Sequence, residues 1–234
     1  MAGRKRRSRR RICAWGIGAA AVALAAASVI WLISGPAPAK HGSYVNTLQR
    51  GEFSSVPDAC RSVSAATLRQ YLPGARKVIQ SISARTQSQC SFTADERPLF
   101  RVLEVTMQAY QPSALAPGNG SATENAVNGY FQARDHLSDP PGNTHLPAPA
   151  VSPLAGLGQA AFSAVQVFRS GSDTSDLITV TIRDRNTLIT VTLQGLATRG
   201  GGYGPVSVAG LRAGALSAGR EVLAGVTAGP TASG

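Results

Sequence analysis

The chain has 234 residues, 23 basic and 12 acidic side chains, and a formal charge of +11. That length suits one globular domain plus accessory segments and is short for two domains of ordinary size. The charge suggests a nucleic-acid binder only until it is located: Arg4, Lys5, Arg6, Arg7, Arg9, Arg10 and Arg11 supply seven of the cations, and the other 16 basic and 12 acidic residues leave a mildly basic body with no nucleic-acid partner expected.

Directly after the arginines, Ile12 to Ser34 runs without a charge and carries Trp15 and Trp31 near its ends. As a helix this stretch would measure about 34 Å, enough to cross a hydrocarbon layer of about 30 Å. The cations before it and only Lys40 and His41 soon after it predict a basic cytoplasmic tail at 1–11, a transmembrane helix at 12–34 and everything later outside the membrane. A polybasic run beside a span also favours contact with anionic lipid. Two rival readings concern the same segment. Ala37-Pro38-Ala39 superficially matches a signal-peptide cleavage site and Ser8-Arg9-Arg10-Arg11-Ile12 loosely resembles a twin-arginine signal, but the apolar stretch is longer than a usual signal core of about 7 to 15 residues. Cys13 follows arginines and an isoleucine rather than a lipobox, so a small apolar residue is its plainer role.

Beyond Cys13 the cysteines are Cys60 and Cys90, and the predicted topology puts both in an oxidising compartment, where an even pair most simply forms one disulfide. Residues 35–55, opening with Gly35-Pro36-Ala37-Pro38-Ala39, read as a stalk, and the folded domain is expected over 56–228. Ser64 to Leu72 reads as a short helix capped by Ser64 and stopped by Pro73-Gly74. The period then shifts to two. Val78 to Ile82 and Gln89 to Ala94 are weak strands, while Leu99 to Tyr110 is stronger, with Leu99, Leu103, Val105 and Met107 on one side and Glu104, Thr106 and Gln108 on the other. Arg101 interrupts the apolar row and is expected near the strand's solvent end.

Ser121-Ala122-Thr123-Glu124 is a capping-box pattern that opens a helix through about Asp135. Asp139 to Pro153, with five prolines, reads as a long loop without regular structure. Ala160 to Arg169, Leu177 to Asp184 and Thr187 to Gln194 read as strands, the last two joined by the turn Arg183-Asp184-Arg185-Asn186. Val208, Leu211, Ala215, Val222 and Val226 recur at helical spacing, and 229–234 is expected to be disordered. The fold class is therefore α+β, an antiparallel sheet packed with helices.

Catalytic constellations are scarce. His41, His136 and His145 stand apart, no zinc-type Cys/His spacing occurs, and neither a metal nor a cofactor is expected. His136 and His145 flank the Pro-rich loop and could meet in space, although solvated histidines are the plainer reading. GxSxG and SxxK are missing, and Gly156-Leu157-Gly158 precedes a strand instead of opening a helix after one, so it lacks the Rossmann geometry. Arg199-Gly200-Gly201-Gly202-Tyr203-Gly204-Pro205 is a possible ligand loop through Arg199 and Tyr203, or simply a compliant connector. Asn119-Gly120-Ser121 matches a glycosylation sequon that competes with the helix cap.

Asp58-Ala59-Cys60, Cys90-Ser91-Phe92 and Leu157-Gly158-Gln159-Ala160-Ala161-Phe162 give a layout that resembles actinobacterial extracytoplasmic domains of unknown function, relatives of the PsbP-type sandwich and of the outer sensor domains of some receptor kinases. The resemblance covers about Val56 to Val226. It carries over no catalytic residue; the anchor, the stalk and the scarcity of catalytic constellations lead to the expectation of a non-enzymatic binding or interaction module at the cell envelope, with the membrane and an envelope protein or cell-wall ligand as partners. A lipobox and a cytoplasmic kinase, present in some such proteins, are missing here. The alternative is an envelope hydrolase or transferase with a noncontiguous active site.

Overall fold

The computed structural model describes residues 45–113, 120–138, 149–170, 173–198, 202–204 and 206–233, with backbone alone at 77–81 and 170. Among the described residues no helix is long and apolar enough to cross a membrane. The expected tail at 1–11, span at 12–34 and first part of the stalk lie outside them.

The elements follow in the order α1 (Ala65–Tyr71), β1 (Arg76–Ala84), β2 (Gln87–Glu96), β3 (Leu99–Ala109), α2 (Ala122–Ser138), β4 (Ala150–Leu154), β5 (Ala160–Ser170), β6 (Asp173–Asp184), β7 (Thr187–Thr198) and α3 (Val208–Thr227). The strands form one sheet in the order β1-β2-β3-β7-β6-β5-β4, and every neighbouring pair is antiparallel. Two meanders, β1–β3 and β4–β7, thus meet where β3 pairs with β7. This is the expected α+β class.

Period-two alternation sends one set of side chains to each face. Cys90, Phe92, Leu103, Val105, Met107, Ile178, Val180, Ile182, Ile189, Val191 and Leu193 form a continuous buried core on the first face. Helix α3 closes it with Leu211, Ala215, Ala218, Val222 and Val226, and α1 packs against α3. Close approach explains the glycine at 214: a Cβ there would lie 2.7 Å from Leu193 Cδ2 and 2.9 Å from Tyr71 Cγ. At the entrance to β5, Gly158 has φ +56°, and a Cβ would meet the Arg183 carbonyl oxygen at 2.6 Å.

The caps follow the sequence pattern. Ser64 Oγ accepts from Thr67 N at 3.1 Å, and Ser121 Oγ accepts from Glu124 N at 3.2 Å. A carboxylate distant in sequence reinforces each cap. Glu221 of α3 accepts from Ser64 N, Ser64 Oγ and Thr67 Oγ1 at 2.7, 2.9 and 2.7 Å, and Glu52 accepts from Thr123 N and Thr123 Oγ1 at 2.9 and 2.6 Å.

Several expectations need correction. The ordered body starts before Val56: Glu52 is 3% and Phe53 1% exposed, with Phe53 held by Asn186 through N to Oδ1 at 2.7 Å and from Nδ2 to O at 2.9 Å. The C-terminal tail is tied to the same segment, since Ser54 N donates to Pro230 O, Gly51 N to Ala232 O and Ala232 N to Glu52 O. The part of the expected loop at 150–153 lies in strand β4, where Pro153 is tolerated because β4 is the sheet's edge. Arg101 does lie at the less buried end of β3, beside the exposed turn at 95–98. Its side chain lies in the apolar row, donates to the carbonyl of Tyr71 at the end of α1, and burial lowers its pKa.

Candidate functional site

The second sheet face divides into three zones. At the α2 end, Tyr130 and Phe162 meet edge to face with ring centroids 5.3 Å apart, and Leu188 completes a small apolar cluster. Helix α2 contacts β4, β6 and β7 there. The middle zone, on β2, β3 and the neighbouring part of β7, is polar.

Register defines this middle zone. Glu104 lies opposite Ser91 and Thr192; Thr106 lies opposite Gln89 and Thr190; and Val102 lies opposite Thr93 and Gln194. All of these side chains are half-buried, while their sequence neighbours on the three strands point into the core. Glu104 Oε1 accepts from the Gln89 amide, and burial raises the Glu104 pKa while that hydrogen bond opposes the rise. Separately, Gln194 Nε2 donates to Ser175 Oγ of β6 at 2.7 Å.

An aromatic step bounds the far end. Phe100 and Tyr203 have ring centroids 5.5 Å apart at an interplanar angle of 57°. Tyr203 Oη donates to Asp95 Oδ1 at 2.7 Å, and its backbone N donates to Thr198 Oγ1 at 2.7 Å. The Asp95 hydrogen bond, burial and the Asp95 charge together raise the Tyr203 pKa, with Arg97 opposing them. Tyr203 is therefore fixed beside the polar zone with its phenol already bonded, while Arg199 lies outside the described residues.

The other candidates are dispersed. Cys60 and Cys90 are disulfide-bonded, with Cα atoms 5.2 Å apart, and the bond ties the segment before α1 to β2. His136 is exposed near the end of α2; His41 and His145 lie outside the described residues, as does Asn119 of the sequon, whose Ser121 serves as the α2 cap. Leu157 of the Gly-Leu-Gly segment is a core residue. Among the described residues there is no group of three or more His, Cys, Asp and Glu side chains arranged to hold a metal.

The sequence did not single out the polar zone, because an alternating strand normally presents just such a solvated row. Its signal lay in composition: Gln, Ser and Thr stand at positions where an exposed row more often carries Lys and Glu. No family model matches the chain, and no curated protein or solved structure matches it either.

Proposed function

We propose that this protein is a non-enzymatic binding module held at the outer side of a bacterial cell membrane by a single helix at 12–34, and that the polar face of β2, β3 and β7 is its contact surface. The observation that carries the location is the Cys60–Cys90 disulfide, which suits an oxidising compartment and agrees with the charge asymmetry around the apolar segment. The contact surface is supported by a sheet face that α2 covers only at one end, leaving a contiguous polar zone beside it. Glu104, the ionisable group at its centre, is partnered by a neutral amide rather than by a base or a nucleophile. That arrangement suits recognition better than acid–base chemistry. The resemblance to actinobacterial envelope domains belongs to the same proposal.

Topology is tested by cysteine labelling in intact cells with a membrane-impermeant maleimide of proven access through the wall. The expected result is that F131C, at a site 46% exposed, is labelled in intact cells, whereas S8C is labelled only after permeabilisation. Labelling of S8C but not F131C in intact cells would reverse the orientation and remove the envelope role.

A further inference from the structure

We propose that the polar zone binds a neutral polyhydroxylated chain, a glycan without charged groups, laid across β2, β3 and β7 with its end against the Phe100–Tyr203 step. This rests on the binding-module reading and assigns a ligand class to the same face. The argument is one of chemical complementarity. Ser91, Thr93, Thr106, Thr190 and Thr192 supply hydroxyls that both donate and accept, and Gln89 and Gln194 supply amides that do the same. The pleat spaces these groups roughly 4.8 Å across the strands and 6.7 Å along them, which gives a two-dimensional lattice of hydrogen-bonding groups. Sugar hydroxyls, which also donate and accept, can be satisfied on such a lattice directly or through water.

Other ligand classes fit less well. On β2, β3 and β7 the residues of this face, from Gln87 to Asp95, Phe100 to Gln108 and Leu188 to Leu196, include Asp95 and Glu104 but no Lys, Arg or His. An anionic polymer would meet two acids on these strands and find cations only at the margin, at Arg76 of β1 across from Thr93 and at Arg97 beside Tyr203. A lipid chain or the apolar side of a helix would have to desolvate the hydroxyls and the Glu104–Gln89 pair without replacing their hydrogen bonds. A glycan replaces them. The tilted rings of Phe100 and Tyr203 add an apolar platform for the C–H face of a sugar, with the Tyr203 hydroxyl held by Asp95 so that the ring keeps its angle.

The full-length protein is titrated by calorimetry with three neutral probes: cello-oligosaccharides, manno-oligosaccharides and N-acetylglucosamine oligomers. Heparin fragments and vesicles of phosphatidylcholine and phosphatidylglycerol serve as counter-probes. The expected result is saturable binding of at least one neutral probe, weakened about tenfold by T106V/T192V, a pair of substitutions that removes two hydroxyls and keeps shape, and unchanged by R69A on α1. If T106V/T192V does not fold, hydrogen exchange on the wild-type protein decides: protection on adding the neutral probe should concentrate in β2, β3 and β7. The proposal is overturned if none of the neutral probes binds, if binding is indifferent to the double substitution in a folded protein, if protection falls elsewhere, or if heparin or vesicles bind this face instead. Should the neutral probes fail while a photo-crosslinker placed at Thr190 captures an identified envelope protein, the glycan proposal falls and the binding-module reading stands.

Discussion

The two faces of the sheet are built from the same strands and differ in almost everything else. On the face under α3, Leu103, Val105, Val191 and Leu193 are fully enclosed, and even a methyl group added at residue 214 would collide. On the opposite face, one residue along each strand, Glu104, Thr106, Thr190 and Thr192 remain half-buried, with Glu104 accepting from the Gln89 amide. The comparison teaches that the pleat confines the packed core to one face and, on the proposed reading, leaves recognition to the other, so that changes on one face should leave the other nearly untouched.

The largest expected effect comes from adjacent residues of β7. Leu193→Ala should cost roughly 2 to 5 kcal/mol by leaving a cavity under α3, whereas Thr192→Val should stay within about 0.5 kcal/mol; chemical denaturation compares them. Equal costs would mean that the polar face also carries the fold.

Replacing both Cys60 and Cys90 with Ala opens a crosslink spanning 30 residues and should lower stability by about 3 to 4 kcal/mol, measured as a shift of the urea midpoint. Because that bond belongs to the α3 side, binding at the polar face should persist wherever the variant remains folded.

A smaller loss, roughly 2 to 3 kcal/mol, is expected for Asn186→Ala. It removes the buried bonds from Asn186 to Phe53 N, Phe53 O and Tyr110 O, at 2.7, 2.9 and 3.0 Å. Limited proteolysis should then cut near residues 49–55 before it reaches the sheet; a protected segment there would show that Phe53 packing and the bonds to Thr123 and the C-terminal residues hold it without Asn186.

The smallest effect is a pair of opposite pH dependences, one for each side. Burial alone would raise the pKa of Glu221, but its hydrogen bonds from Ser64 and Thr67 outweigh that and leave it lowered. Its stabilisation is therefore present above the ordinary glutamate value and lost as pH falls through the lowered folded value. Glu104 has the opposite sign. Its pKa is raised by burial, so the folded state holds its proton more tightly, and its contribution declines as pH rises from the ordinary glutamate value through the raised one. E221Q should flatten the acid-side loss and E104Q the decline above it, read from unfolding midpoints across pH. If both substitutions moved the same limb, the assignment of opposite signs would be wrong.

Much of this architecture is legible in the sequence because periodicity and caps are local signals. Ile178, Val180 and Ile182 against Ile189, Val191 and Leu193 mark the β6–β7 hairpin, and Ser64 and Ser121 mark helix starts. What escaped was set by partners distant in the chain. Glu52 and Phe53 read as stalk because their partners, Thr123 and Asn186, lie 71 and 133 residues away. Strand β4 hid behind its proline, which only an edge position permits. The polar zone escaped for the same reason, since it exists only because β3 pairs with β7, a junction that no local pattern announces.

The tie between Gly51–Ser54 and Pro230–Ala232 makes the domain topologically close to a ring. Tension applied at residues 45 and 233 would open that antiparallel pair like a zipper, one bond at a time, before any load reached the sheet. Conversely, a short peptide joining these two ends should be accommodated easily, so that the chain could be opened instead at the Asp184–Arg185 turn and still close on itself.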